Sequence, residues 1–257
     1  MTHLNRLRDL WAQGGVALGA IVTSPSLTAV QTMARSGLDW ILIDMEHGAI
    51  DLDAAHQLIA ATSGTPLVPL VRVPAGAAWH AKAPLDLGAM GIEFPMTTRR
   101  EDAEAAVRAV RYPPKGQRFW GPFHAPLRWG LSMQEYLDRA DEEVLAIATI
   151  EHIDALETLP AVLATPGLDL AIIGPGDLAT SMGLKGQREH PQVLAVIRKF
   201  EAIIRDSPVI LGGPAQTPEE ANAMIARGYR AIGIGFDWSL LARGITSMLA
   251  AIRRTSG

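Results

Sequence analysis

The sequence predicts an α/β protein of the (β/α)8 TIM-barrel class, and three observations carry that expectation. Apolar strand-like runs alternate with helix-like segments eight times along the chain, which favours a parallel sheet with helices packed outside it. The 257 residues suit one such barrel, and no linker, low-complexity tract or composition shift divides residues 1–257. No GxGxxG follows the first strand, which argues against an open dinucleotide-binding sheet.

The opening MTHLNRLRDLWAQGG has an amphipathic helical pattern without the apolar core of a signal peptide. Val16 to Val22 is the first strand, followed by a helix over Ser26 to Ser36. Trp40 to Asp44 leads to a helix over Leu52 to Ala61, Pro66 to Val73 to one over Trp79 to Leu87, and Gly91 to Phe94 to one over Arg100 to Val110. The fifth and sixth strands, Val144 to Glu151 and Leu168 to Asp177, flank a helix over Ile153 to Ala164, and each ends in a carboxylate. Continuous apolar runs of this kind are strands buried on both faces. A right-handed crossover between them brings Glu151 and Asp177 to the same edge of the sheet. A helix over Gln192 to Arg205, a strand at Val209 to Leu211, a helix over Pro218 to Ala226, a strand at Arg230 to Ile234 and a helix over Trp238 to Arg253 complete the count. Two segments exceed what a barrel needs. Tyr112 to Gly130, rich in Pro, Gly and aromatics, is expected to be an ordered loop near a site, and Ser181 to His190 is a shorter loop.

A net charge of −4 with scattered basic residues excludes a nucleic-acid footprint. There is no cysteine for a disulfide or thiolate site, and no apolar run approaches a membrane span. The expectation is a cytoplasmic enzyme with neither nucleic acid nor membrane as partner.

The chemistry of a barrel lies at the carboxyl ends of its strands. Those ends carry Asp44, Glu46, His47, Arg72, Glu151 and Asp177, with Gly212 and Gly213 after the seventh strand. Paired carboxylates at strand ends suit a hard divalent metal, although two solvated acids are the commoner outcome for any one such pair. Asp44 and His47 are spaced so that the carboxylate can orient the imidazole as a general base; the alternative is a histidine that caps its loop. Arg72 interrupts a buried strand, which is costly unless it meets an anion or a carboxylate, and an ion pair with Glu46 is its structural alternative. Gly174-Pro175-Gly176 reads as a tight turn exposing N–H groups beside Asp177. None of the four lysines (Lys82, Lys115, Lys185 and Lys199) ends a strand, so Schiff-base chemistry is disfavoured against metal-assisted polarisation.

Taken together, LIDMEHG, PLVRV, RYPPKGQR, RWG, IIGPGDL and HP resemble the HpcH/HpaI aldolase family in order from about Leu18 to Arg243. The resemblance implies a barrel of the phosphoenolpyruvate/pyruvate-domain type, a homohexamer with the last helix exchanged between neighbours, and a metal-dependent (class II) aldolase acting on pyruvate or hydroxypyruvate and an aldehyde. It implies that Glu151 and Asp177 hold Mg²⁺, Mn²⁺ or a comparable ion such as Co²⁺ or Zn²⁺. Arg72 is then the group on the enolate oxygen and His47 with Asp44 the proton-moving pair. Gly174 to Gly176 with Gly212 and Gly213 cradle the 2-oxo acid, Asp86 is lent to a neighbouring subunit's site, and Phe123, His124 and Ala125 lie on the aldehyde side. Several positions depart from the family pattern. Ala125 stands where members that process succinic semialdehyde have arginine, which favours a small or uncharged aldehyde. Thr149 replaces a glutamine, and Glu93 and Trp238 stand where smaller or apolar residues are usual. Two other readings remain open, a CoA-thioester lyase of the same superfamily and a non-catalytic binding barrel. The first calls for a basic adenine- and phosphate-binding surface that the sequence does not show, and the second leaves the charged strand-end set without a purpose.

Overall fold

The computed structural model describes residues 3–75 and 77–253. Eight parallel strands close into one barrel in chain order: β1 (Ala17–Val22), β2 (Trp40–Asp44), β3 (Val68–Arg72), β4 (Gly91–Phe94), β5 (Leu145–Ile150), β6 (Leu170–Ile173), β7 (Ile210–Pro214) and β8 (Ala231–Phe236). The predicted barrel is therefore the observed fold.

Alternation along each strand makes two cores. On β2, Trp40 and Leu42 point into the barrel, whereas Ile41 and Ile43 point outward under the helices. The same period places Val68 and Leu70 of β3 and Leu145 and Ile147 of β5 inside, where they fill the barrel as layers of side chains. The outer face is covered by α2 (Leu27–Met33), α3 (Leu52–Ala60), α4 (Ala78–Asp86), α5 (Arg100–Val110), α8 (Ala155–Leu163), α10 (Pro191–Arg205) and α11 (Pro218–Ala226). Leu7 of α1 (Arg6–Ala12) joins the inner cluster at the amino-terminal end, where Asn5 donates to the carbonyls of Met90 and Glu143 at 3.0 Å each. That plug leaves the carboxyl-terminal end as the way in.

Two expectations need correction. The segment Leu168 to Asp177 is not one long strand. β6 stops at Ile173, and Pro175 opens α9 (Pro175–Ser181), where its missing N–H and fixed φ suit the first helical position. Asp177 thus sits in the first turn of a helix. The stretch Tyr112 to Gly130 is not all loop, because α6 (Ala125–Trp129) forms within it and α7 (Met133–Glu143) follows. The closing helix α12 (Asp237–Ala251) differs from the other barrel helices. Trp238, Leu241, Ile245 and Met248 along it are all exposed, and Asp237 is its buried residue. Among the described residues, no helix is long and apolar enough to cross a membrane.

Candidate active site

A cavity of ≈ 400 Å³ opens at the carboxyl-terminal end of the barrel. Its polar wall is formed by Asp44, His47, Arg72, Glu93, Glu151 and Asp177, which separate elements bring together. No lysine lines it, so an imine-forming amine is not at hand.

On one side, the parallel register sets Asp44 of β2 directly beside Arg72 of β3. Arg72 grips the carboxylate in a fork, with Nε on Oδ1 at 2.9 Å and Nη2 on Oδ2 at 2.6 Å. The backbone N–H groups of Glu46 and His47 add two further bonds to Oδ1 at 3.1 and 3.2 Å. Burial alone would raise the Asp44 pKa, but the arginine and the two amides outweigh it and hold the carboxyl below its usual range. Arg72 Nε also lies 3.3 Å from Glu46 Oε2. Despite its burial, which works the other way, these acids raise the guanidinium pKa, so Arg72 is a permanent cation. Nη1 is left without a bond to the protein among the described residues.

This arrangement corrects the expected Asp44–His47 pair. Both Asp44 oxygens are committed to Arg72 and to backbone, so only the His47 main chain meets that carboxylate. The imidazole, 60% exposed, has Glu46 as its acidic neighbour, with Nε2 at 3.6 Å from Oε2. Burial, opposed by Arg72 and His47, raises the Glu46 pKa, and Asp44 and Asp177 raise it further.

Across the cavity, Glu151 follows β5 and takes an N–H from Met96 at 2.8 Å. Met96 adopts a left-handed backbone (φ 54), unusual for a residue with a side chain, and so aims its amide at the carboxylate. Gly174 is needed for packing here, since a Cβ on it would lie 2.8 Å from Glu151 Oε2. The Glu151 pKa is raised chiefly by burial, offset in part by the Met96 amide, and then by the nearby charges of Asp177 and Glu46. No group of three or more His, Cys, Asp or Glu among the described residues forms a metal cage. Two carboxylates do fit a hard ion that keeps water and substrate oxygens as its other ligands, and their mutual repulsion is what a cation relieves.

Glu93 lies beneath these groups on β4, beside Arg72 in register, and is only 1% exposed. Its Oε1 accepts the Thr149 hydroxyl at 2.8 Å, while Oε2 has no partner among the described residues. Burial pushes its pKa up to about 7 against the pull of Arg72 and Thr149, and Glu151 and Asp44 add to the rise. At the rim, Asp237 ties β8 to β1 through the Thr23 hydroxyl at 2.8 Å, the Ser24 amide at 3.0 Å and the Ser24 hydroxyl. Phe236 stacks on Trp238 with ring centroids 5.9 Å apart.

Of the remaining expected site residues, Gly174, Pro175, Gly176 and Gly213 line the cavity. A Cβ on Gly176 would meet nothing within 4 Å, whereas Gly212 lies deeper, with a Cβ there 3.0 Å from Leu170. The structure does not bring Phe123, His124 or Ala125 to this cavity. Phe123 packs edge-on against Trp120, His124 against His56, and Ala125 is buried with Tyr136 and Ala140 in the α6–α7 core. Asp86 is also outside it, bonded to the buried Arg118 at 3.2 Å. Sequence reading does not single out Met96 or Thr23, whose contributions are a backbone amide and a rim hydrogen bond. For Met96, the preceding Pro95 is the available signal of an irregular strand end.

Fold and site together define a class: a (β/α)8 barrel with a cavity at its carboxyl-terminal mouth lined by carboxylates and an arginine. A family model described as HpcH/HpaI aldolase/citrate lyase matches residues 19–244, and the chain belongs to that family. A hydroxypyruvate/pyruvate aldolase of Cupriavidus necator is 36% identical over 241 residues, covering 94% of this chain and 89% of the relative. A 2-dehydro-3,6-dideoxy-6-sulfogluconate aldolase of Pseudomonas putida is 33% identical, covering 92% of each. The crystal structure of a family member from Burkholderia cenocepacia superimposes with a TM-score of 0.88 at 32% identity over 98% of both chains.

Proposed function

We propose that the protein is a class II aldolase that joins the enolate of pyruvate or hydroxypyruvate to an aldehyde and, in reverse, cleaves 4-hydroxy-2-oxo acids. One observation carries this reading: the carboxylate pair Glu151 and Asp177 shares a single cavity with the cationic Arg72. Glu151 and Asp177 would hold the divalent ion, Mg²⁺ or Mn²⁺, which supplies Lewis-acid polarisation of the substrate keto oxygen. Deprotonation at C3 places negative charge on that oxygen, and the free Nη1 of Arg72 is the donor that meets it, an electrostatic contribution of several kcal/mol. His47 moves the proton at the mouth, through water, with Glu46 rather than Asp44 as its acidic neighbour. In the first turn of α9, Gly176 and Asp177 offer N–H groups to the substrate carboxylate, since Pro175 has none and Gly174 donates its own to the Ile150 carbonyl at 3.1 Å. Gly213 offers backbone beside them. In aldol addition, the C3 carbanion forms a bond to the aldehyde carbon and the new alkoxide takes up a proton.

Assembly belongs to the same proposal. The apolar stripe of α12, exposed in the single chain, suits exchange onto a neighbouring barrel. A hexamer would let a neighbour's Asp86, Phe123 and His124 complete the aldehyde side, Ala125 being buried in its own chain. Pyruvate release from a 4-hydroxy-2-oxo acid tests the activity. Turnover should vanish on thorough chelation and return with Mg²⁺ or Mn²⁺. Cleavage that is indifferent to chelator would show that Glu151 and Asp177 are not metal ligands in this reaction.

A further inference from the structure

Glu93 is unexplained by the chemistry above. It lies on the inner face of β4 at the floor of the cavity, between Arg72 on β3 and Thr149 on β5. Thr149 holds Oε1, so the side chain is fixed, yet Oε2 is buried and has no hydrogen-bond partner among the described residues. The floor around it is apolar, lined by Trp40, Leu42, Ile172 and Ala231. A buried polar oxygen without a partner is costly, and a group that fills this cavity can answer it.

Chemistry narrows the occupant. A hydroxyl serves either protonation state of the carboxyl, donating to an ionised oxygen or pairing with a neutral acid. A second carboxylate is repelled there by the acids already lining the cavity, and a methyl group would bury Oε2 without a partner. Position narrows it further. The aldehyde must enter from the open mouth after the 2-oxo acid is seated, so the group that reaches the floor belongs to the 2-oxo acid. Under the proposed function its carboxylate and keto oxygens would be engaged by the ion, Arg72 and the start of α9, which leaves the substituent on C3.

We propose that Glu93 is a specificity-determining residue whose free Oε2 binds a hydroxyl on C3 of the donor, so that the enzyme prefers a 3-hydroxy-2-oxo acid to an unsubstituted one. This rests on the aldolase reading and assigns its donor substrate. Thr149 is a positioning residue that acts through Glu93.

The test compares hydroxypyruvate with pyruvate in two ways. One is kcat/KM with acetaldehyde as the fixed acceptor; the other is binding by calorimetry with Mg²⁺ and no aldehyde. The wild type should favour hydroxypyruvate by about tenfold or more, and Glu93→Leu should erase the preference, a change in the ratio of about 10- to 100-fold. Glu93→Gln, which keeps a hydrogen-bonding atom at the same place, should retain most of it. Thr149→Val should weaken the preference through KM with kcat largely kept. Should Glu93→Leu not fold, Glu93→Ala with an unchanged melting curve takes its place. A ratio unchanged in the apolar variant, or no preference in the wild type, overturns the inference and leaves the aldolase reading intact. A binding preference that disappears in the variant, in a protein that turns over neither donor and releases no pyruvate from a 4-hydroxy-2-oxo acid, sustains Glu93 as the hydroxyl-binding residue and overturns the aldolase reading. A wild type that binds neither donor overturns both.

Discussion

The two walls of the cavity carry the same residue types under opposite electrostatic conditions. On the β2–β3 wall, Asp44 is gripped by Arg72 through two side-chain bonds and by two backbone amides. On the β5–β6 wall, Glu151 has one backbone amide from Met96, and no side-chain cation bonds Glu151 or Asp177 among the described residues. On the first wall Asp44 is fully paired as folded. On the second, the Glu151 pKa is raised chiefly by burial and further by the nearby charge of Asp177. Preorganisation therefore comes from the protein on one side and, under the proposed function, would come from a divalent ion on the other.

Glu151→Gln or Asp177→Asn tests the second wall and should have the largest effect. Each should abolish tight divalent-ion binding and lower turnover by about a thousandfold or more. The melting temperature without metal should hold or rise, because a repulsion has been removed; a clear fall in thermal melts would show that the carboxylates support the fold instead. Arg72→Ala should behave in the opposite way. It loses turnover and also about 3–5 kcal/mol of stability in urea unfolding, because Asp44 stays buried without its partner. Adding Asp44→Asn should restore most of the stability and none of the turnover, and a failure to restore it would break the contrast between the walls.

Glu93 gives a pH signature below both walls. It faces Arg72 from β3, Asp44 from β2, and Thr149 and Glu151 from β5. Its folded pKa of about 7 lies above the ordinary value of 4.5, so the folded chain keeps a proton that the unfolded chain releases. The stability this group contributes is full below pH 4.5 and is lost as pH rises through about 7. Glu93→Gln should flatten that slope when urea unfolding is compared at about pH 5 and about pH 8; an unchanged slope would place its origin elsewhere. The smallest effect is expected at Met96→Gly, where relief of the left-handed backbone should add no more than about 1 kcal/mol.

Legibility varies with the range of the interactions that decide each element. β2 and β4 fall on the bounds expected for them, because runs such as WILID are apolar on both faces and end in charge. β6 is shorter than its sequence suggests because an apolar run leads straight into GPGD, and only the backbone path distinguishes a turn from a helix start. α7 is polar along most of its length and shows little apolar period, but Ser132 and Glu135 form a capping box that marks its start. Thr149 and Glu93 stand out in the sequence as departures from the family pattern, and their contact explains one by the other: the hydroxyl and the carboxyl share a bond at 2.8 Å.

By itself, the sequence determined the barrel and the set of charged residues at its carboxyl end, since strand period and chain order are local properties that the alternation of side chains records directly. The tertiary structure decided the partners. Asp44 lies three residues from His47 in the chain, yet strand register puts it against Arg72, 28 positions away. A buried carboxylate takes the cation that closure of the barrel brings to it, and no local spacing encodes that choice.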